Sequence, residues 1–303
     1  MTFATPIDGS SRYRGRFAPL PTGPLHFGSL VAALGSWLIA RHRGGDWLLR
    51  IEDIDPPREV PDAARQQIET LKAFGLHADE PILWQSTRGD AYAEALETLL
   101  ASDTAFVCRC SRSDLAADSG IHRSCLNTIH HMSDPARPPA IRLRVGDERV
   151  GFDDSIQGHF EQSARDAIGD FVLRRADGLW AYQLAVVVDD AAQRISEVVR
   201  GADLLDSTPR QILLQRALGL PTPGYAHLPL VVDADGRKLA KSSAALPVDA
   251  ADPLPALRAA FGFLGQEVDA IAAARTPDVL LHRAVEAFDI ARISRVLQRV
   301  AGP

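Results

Sequence analysis

The sequence predicts an α/β protein built on a parallel sheet, with a loop-rich subdomain inserted into it and a small helical part at the C-terminal end. Three observations predict this. An apolar run ending at Phe17-Ala18, a loop rich in Pro and Gly, a long apolar segment over 29–41 and the run Trp47-Leu48-Leu49-Arg50-Ile51 form a strand, loop, helix, strand unit. Such a unit opens a parallel sheet whose ligands sit at the carboxyl ends of the strands. From Cys108 to about Phe160 the hydrophobic period fades and cysteines, histidines and prolines accumulate, as in an irregular insertion. Strand and helix signals resume from Phe171 and lead back to the same sheet.

The elements follow in order. The segment 29–41 is too long for a strand and is packed with Ala and Leu, so it is a buried helix, ended by Gly44-Gly45. Apolar spacing predicts two more helices over 60–74 and 88–100. After the insertion, 184–188 is an unbroken apolar run of strand length ending in Asp189-Asp190, and 196–200 reads as a further strand. Thr208-Pro209 is expected to start a helix, with Thr208 as cap and Pro209 in the first position. A strand is expected over 228–232, then the turn Asp233-Ala234-Asp235-Gly236 and the cationic loop Arg237-Lys238-Leu239-Ala240-Lys241-Ser242. Beyond Ser243, Ala, Leu, Asp and Arg in helical spacing predict a small bundle, and there is no internal repeat.

Composition narrows the class. A chain of 303 residues corresponds to roughly two domains at about 150 residues each. With 46% apolar and 24% charged residues it is neither disordered nor fibrous. A net charge of −6 excludes nucleic-acid binding along the whole chain and leaves only a local basic surface for it. Three cysteines do not make a disulfide framework and fit a reducing compartment. No apolar run approaches membrane-spanning length, and the first residues lack a signal-peptide core. A cytoplasmic protein without membrane contact is expected, and a monomer.

Two loops carry the chemistry. Pro19 to Ser29 precedes a helix; its glycines let a phosphate approach the backbone, and the first N–H groups of the helix attract an anion. His26, expected one turn before that helix, is placed to donate to a phosphoryl oxygen. Alone, a Pro/Gly turn with one His is usually only a connection. The downstream Lys238-Leu239-Ala240-Lys241-Ser242 loop places two cations and a hydroxyl after a strand, where it can close on a polyphosphate. Alone it would read as a solvated basic turn; together the two loops carry more weight than either does alone.

These residues carry a resemblance. Arg16-Phe17-Ala18-Pro19-Leu20-Pro21-Thr22-Gly23, then Leu25-His26-Phe27-Gly28, with Arg50-Ile51-Glu52-Asp53 and the Lys238 to Ser242 loop, is similar to class I aminoacyl-tRNA synthetases of the glutamyl branch. The similarity covers most of 12–245. It implies a Rossmann-like catalytic domain split into 1–107 and 166–243, an inserted acceptor-type subdomain at 108–165, and a helical region at 244–303 in place of a full anticodon-binding domain. Leu20 stands where the family usually has Ser, Phe27 and Ser29 vary the first nucleotide motif, and Leu239-Ala240 varies the second.

Only residues 243–303 follow Ser242, too few for the large helical anticodon-binding part of a full glutamyl enzyme. Within the branch the chain therefore resembles the short glutamyl-Q tRNA(Asp) synthetase family, which joins glutamate to queuosine in the anticodon loop of tRNA(Asp). The resemblance implies glutamate, ATP with Mg2+, and the tRNA(Asp) anticodon stem-loop as substrates and partners. It assigns catalysis to His26, Gly28 and Lys241, and ATP binding to these with Ser29, Lys238 and Ser242. Glutamate falls to Arg16, Phe17, Ala18, Pro19, Leu20, Glu52, Tyr182 and Arg200. A guanidinium binds a carboxylate bidentately, so Arg16 and Arg200 suit the side-chain carboxylate; Glu52 and Tyr182 suit the ammonium end.

The family also carries a zinc site of Cys-x-Cys, a Tyr and a later Cys. Here Cys108, Cys110 and Cys125 supply three thiols, Ile121 stands at the Tyr position and the neighbouring His122 is the candidate fourth ligand; His130 and His131 are further options, and an empty site of buried thiols is the alternative. Two other functions stay open: a shortened glutamyl-tRNA synthetase charging a tRNA 3′ end, and a non-catalytic paralogue that binds tRNA.

Overall fold

A computed structural model describes residues 12–111, 113–125, 138–233, 235–236 and 248–300. Strand β1 (Arg14–Phe17) leads through the Pro/Gly loop into helix α1 (Phe27–His42), and the chain returns in β2 (Asp46–Ile51), parallel to β1 with Phe17 opposite Leu49. Alpha helix α1 is buried on nearly every side because the sheet covers one flank and the C-terminal helices α6 (Pro253–Phe263) and α7 (Pro277–Ala287) the other. That is why its sequence is apolar throughout rather than striped. It ends as the glycines require: Gly44, at φ +62, donates to the Arg41 carbonyl and Gly45 to the Ala40 carbonyl, a left-handed helix stop.

Helices α2 (Ala63–Ala73) and α3 (Gly89–Ala101) flank the short β3 (Leu83–Trp84), which pairs parallel to β2. The stretch expected to be loop-rich contains regular strands. Strand β4 (Ala105–Cys108) pairs with β5 (Ala140–Leu143), and β6 (Arg149–Asp154) with β7 (Gly158–Ser163) forms an antiparallel hairpin. The third strand beside β5 is β8 (Val172–Arg174).

The return set corrects three expectations. The apolar run 184–188 lies inside helix α4 (Tyr182–Ala192), not in a strand. Its Leu184 to Val187 are all buried, and a fully covered helix shows the same unbroken apolar run as a buried strand. After β9 (Glu197–Gly201), helix α5 (Thr208–Ala217) has Ser207, not Thr208, at its N-cap. The Thr208 hydroxyl turns inward and accepts from Arg200 Nη2 at 2.8 Å. The strand expected over 228–232 is broken by Pro229 into β10 (Gly224–Leu228) and β11 (Leu230–Val232), since proline has no N–H to continue a ladder.

The sheet order is β7-β6-β10-β9, with β6, β10 and β9 mutually parallel, and separately β1-β2-β3. The Ser196 N–H donates to the Arg14 carbonyl at 2.9 Å and the Arg14 N–H to Ser196 Oγ at 2.8 Å, which sets β9 beside β1. The carboxyl ends of β1, β2, β9 and β10 therefore open on one side, where ligands of such sheets bind. The C-terminal part is not purely helical: β12 (Gln298–Val300) pairs parallel with β11.

The turn after α1 gives a test. A Cβ at Gly45 would lie 2.3 Å from the Tyr13 carbonyl oxygen, whereas one at Gly44 meets nothing within 4 Å. Gly45→Ala is expected to cost about 2 kcal/mol or more through forced backbone movement, and Gly44→Ala about 1 kcal/mol from its left-handed φ alone. Urea unfolding of both variants checks the order; equal midpoints would contradict it.

Candidate active site

A cleft of about 990 Å³ opens at those carboxyl ends. Arg16, Phe17, Ala18, Pro19, Leu20, His26, Gly28, Ser29, Glu52, Tyr182 and Arg200 all line it. Lys238, Lys241 and Ser242 lie outside the described residues, as do His130 and His131.

The loop between β1 and α1 is held in shape by its backbone. The Pro19 carbonyl accepts from the Glu52 N–H and the Pro21 carbonyl from the Val60 N–H. Gln67, buried on α2, donates through Nε2 to the carbonyls of Leu20 and Gly23 at 3.0 and 2.7 Å. His26 is the N-cap of α1 rather than a residue one turn before it: its Nδ1 accepts from the Ser29 N–H at 3.2 Å. One of the helix donors expected to meet an anion is thus used by His26, and the neutral ring carries its proton on Nε2. Gly28 has a local reason to be glycine, because a Cβ there would sit 3.1 Å from His26 Cε1.

Beneath the loop lies a buried ion cluster. Asp190 on α4 accepts from Arg16 Nε and Nη2 at 3.1 and 3.2 Å and from Arg50 Nη1 at 2.7 Å, while Arg50 Nη2 reaches Glu52 at 3.4 Å. Burial alone would raise Asp190, but Arg16 and Arg50 outweigh it and hold its carboxyl below the usual range. Glu52 moves the other way: burial pushes its carboxyl up despite Arg50 and Arg16. Arg16 and Arg50 against Asp190 and Glu52 cancel in formal charge.

Arg200 on β9 is different. It is 6% exposed, and among the described residues its hydrogen-bond partners are His227 Nε2, the Tyr182 hydroxyl, the Leu204 carbonyl and the Thr208 hydroxyl. Burial lowers the His227 pKa, with Arg200 acting in the same sense against Asp154, so none of these partners is an anion. The guanidinium also stands 5.9 Å from the Tyr225 ring centroid. Among the described residues no acid is bonded to this buried cation on the wall of the cleft, an arrangement that is chemically suited to take up an anion. Burial raises the Tyr182 pKa, which keeps its hydroxyl neutral.

At the end of β4, Cys108, Cys110, His122 and Cys125 place one ligand atom each within 4.8 Å of one another. Cys108 Sγ lies 3.4 Å from His122 Nε2 and 3.9 Å from Cys125 Sγ. A tetrahedral site with metal–sulfur bonds of about 2.3 Å spaces its ligands by about 3.8 Å, so the residues fit a metal ion. His122 Nδ1 is held by Asp170 Oδ2 at 2.8 Å, which orients Nε2 toward the thiols as a carboxylate behind a histidine ligand does.

The residues 12–256 match the family model described as tRNA synthetases class I (E and Q), catalytic domain. The chain belongs to that family. A Xanthomonas campestris pv. campestris protein (strain 8004) named glutamyl-Q tRNA(Asp) synthetase is 59% identical over 285 residues, covering 94% of each chain. A protein of the same name from Xanthomonas oryzae pv. oryzae is 57% identical over 291 residues, covering 96% of this chain and 95% of the other. Among solved structures of class I synthetases, a glutamate tRNA ligase from Elizabethkingia meningosepticum in complex with its amino acid matches with TM-score 0.79 and 28% identity, over 96% of this chain and 67% of that one. Among the described residues of this class I synthetase chain, no helix is long and apolar enough to cross a membrane.

Several site residues escaped sequence reasoning. Asp190 was visible only as the end of an apolar run, and Gln67 not at all. His227 left one signal, an imidazole between Ala226 and Leu228 in a strand that is otherwise apolar, and a polar group in such a place is paired with something. Asp190→Asn is expected to destabilise the fold by about 3 kcal/mol or more at pH 7, because two guanidinium groups would stay buried around one carboxylate. Since the folded pKa of Asp190 is depressed, its contribution is present above the unfolded value of about 4 and is lost as pH falls through the folded value. Denaturant unfolding at several pH values checks this: the gap between parent and variant should narrow below about pH 4, and a constant gap would contradict it.

Proposed function

We propose that this chain is an ATP-dependent ligase that activates glutamate as glutamyl-adenylate and transfers it to queuosine in the anticodon loop of tRNA(Asp). The charge of the cleft carries the reading. Among the described residues that line it, Arg16, Arg58, Arg175 and Arg200 stand against Glu52, Asp55 and Asp203, a surplus of one cation, which matches glutamate, with two carboxylates and one ammonium. Relatives of matching length named glutamyl-Q tRNA(Asp) synthetase support the acceptor.

Glutamate lies along the cleft with its side-chain carboxylate at Arg200, beside Arg16, and its ammonium toward Glu52 and Tyr182. Arrival of the ammonium favours the ionised form of Glu52, offsetting the upward push of burial. An α-carboxylate oxygen attacks the α-phosphorus of ATP, taken as its Mg2+ complex; the new P–O bond forms as the bond to pyrophosphate breaks. His26 Nε2–H, the backbone N–H of Gly28, the Ser29 hydroxyl, and Lys238, Lys241 and Ser242 stabilise the phosphoryl oxygens. A queuosine ring hydroxyl then attacks the adenylate carbonyl, forming an ester and releasing AMP. The protein contributes position and charge, and no covalent enzyme intermediate is needed. Zinc at Cys108, Cys110, His122 and Cys125 would hold the inserted region together, since four protein ligands leave no open position for chemistry.

Two measurements test this. Labelled glutamate should pass to tRNA(Asp) from queuosine-containing cells and not from queuosine-lacking cells. Label on the 3′ end irrespective of queuosine would favour a shortened glutamyl-tRNA synthetase, and tRNA binding without glutamate-dependent ATP–pyrophosphate exchange would favour an idle paralogue. Elemental analysis should find about one zinc per chain, removed by Cys110→Ser, as expected for a four-ligand site; purified protein without metal would reject the zinc assignment.

A further inference from the structure

We propose that Asp154 and His227 are positioning residues that orient Arg200 as the receptor of the glutamate side-chain carboxylate. The inference rests on the glutamate reading above. Asp154 closes β6, His227 lies on β10 and Arg200 on β9, so three neighbouring parallel strands supply the three groups in line.

The chain of hydrogen bonds is complete at each link. Asp154 Oδ2 meets His227 Nδ1 at 2.6 Å, and its Oδ1 accepts the backbone N–H of His227, Ile156 and Gln157 at 3.1, 3.0 and 2.8 Å. A carboxylate so fully engaged accepts from Nδ1–H and fixes the tautomer that leaves Nε2 as an acceptor. Arg200 Nε donates to that Nε2 at 3.1 Å. The imidazole plane is held by Tyr225, stacked at 6.2 Å with 13° between the rings, and by Phe152. With Nε fixed by His227 and Nη2 by Thr208 and Leu204, the plane of the guanidinium is set, and Nη1 extends to Tyr182 beside the cleft.

The order of groups matters more than their presence. A carboxylate placed directly on Arg200 would bury the cation at lower cost but would compete with the ligand for it. Here the carboxylate stands one imidazole away: it organises the acceptor and, among the described residues, leaves the cation without a direct anionic partner. Asp154 and His227 are 5% and 0% exposed, so they act on glutamate only through Arg200.

The test is glutamate-dependent ATP–pyrophosphate exchange by the full chain. His227→Leu removes the acceptor and should raise KM for glutamate about 10-fold or more, the consequence of leaving a buried charged donor unpaired, with KM for ATP within about twofold. His227→Gln, whose amide oxygen reaches toward the Nε2 position, should recover most of the loss, and Asp154→Asn should shift KM for glutamate in the same direction as His227→Leu. Unchanged KM for glutamate in folded His227→Leu, parallel rises for glutamate and ATP, or a Gln variant as impaired as Leu would each overturn the proposal. Should the Leu variant fail to fold, Gln and Asp154→Asn decide by the same split between the two KM values. Normal exchange by the parent with no such split sinks this inference alone, whereas no glutamate-dependent exchange by the parent sinks the glutamate reading and this inference with it.

Discussion

The shared carboxylate of Asp190 is the constraint on which the rest of the structure depends. It lies between Arg16 of β1 and Arg50 of β2 and comes from α4, about 140 residues further along the chain than Arg50. Two guanidinium groups are tolerable in that interior only because one acid serves both and Glu52 serves one of them. The halves of the catalytic sheet are thereby tied together under the loop that leads to His26, and the floor of the cleft acquires a fixed arrangement of charge before any substrate arrives. Preorganised charge of this kind is the cheapest contribution a protein makes to a reaction that moves charge onto oxygen.

The inserted region has more than one task. Its first strand ends at Cys108, in the Cys/His cluster. Its hairpin extends the catalytic sheet through β6, so Asp154 reaches the interior beside His227. A segment that looks like an interruption in the chain thus supplies the buried carboxylate that stands behind His227 and Arg200. Asp170 ties the Cys/His cluster to the chain that follows β5, accepting from His122 with one oxygen and from the Val145 N–H with the other.

Sequence reasoning reached the first sheet and its loop well, because β1, α1 and β2 are local and their glycines and prolines mark the joints. It placed Arg16, His26, Glu52, Tyr182 and Arg200 together through resemblance, and the structure sets them around one cleft. It misread 184–188, since an unbroken run of five apolar residues, four of them buried, has no period that separates helix from strand. It overlooked β5 to β7, where short strands alternate too briefly to rise above the prolines and histidines nearby. Asp154, Asp190 and Gln67 were beyond reach for another reason: each acquires meaning only from a partner distant in the chain, and a single sequence records no such pairing.

The break at Pro229 has a consequence of its own. By ending β10, it frees β11 to turn away and take β12 as its neighbour. The strand that feeds the cationic loop is therefore shielded along one border by residues at the far end of the polypeptide. Carboxypeptidase trimming that removed Gln298–Val300 would strip this border and leave a row of unpaired main-chain groups, a template for self-association. Clumping in storage is then the expected symptom of a shortened tail.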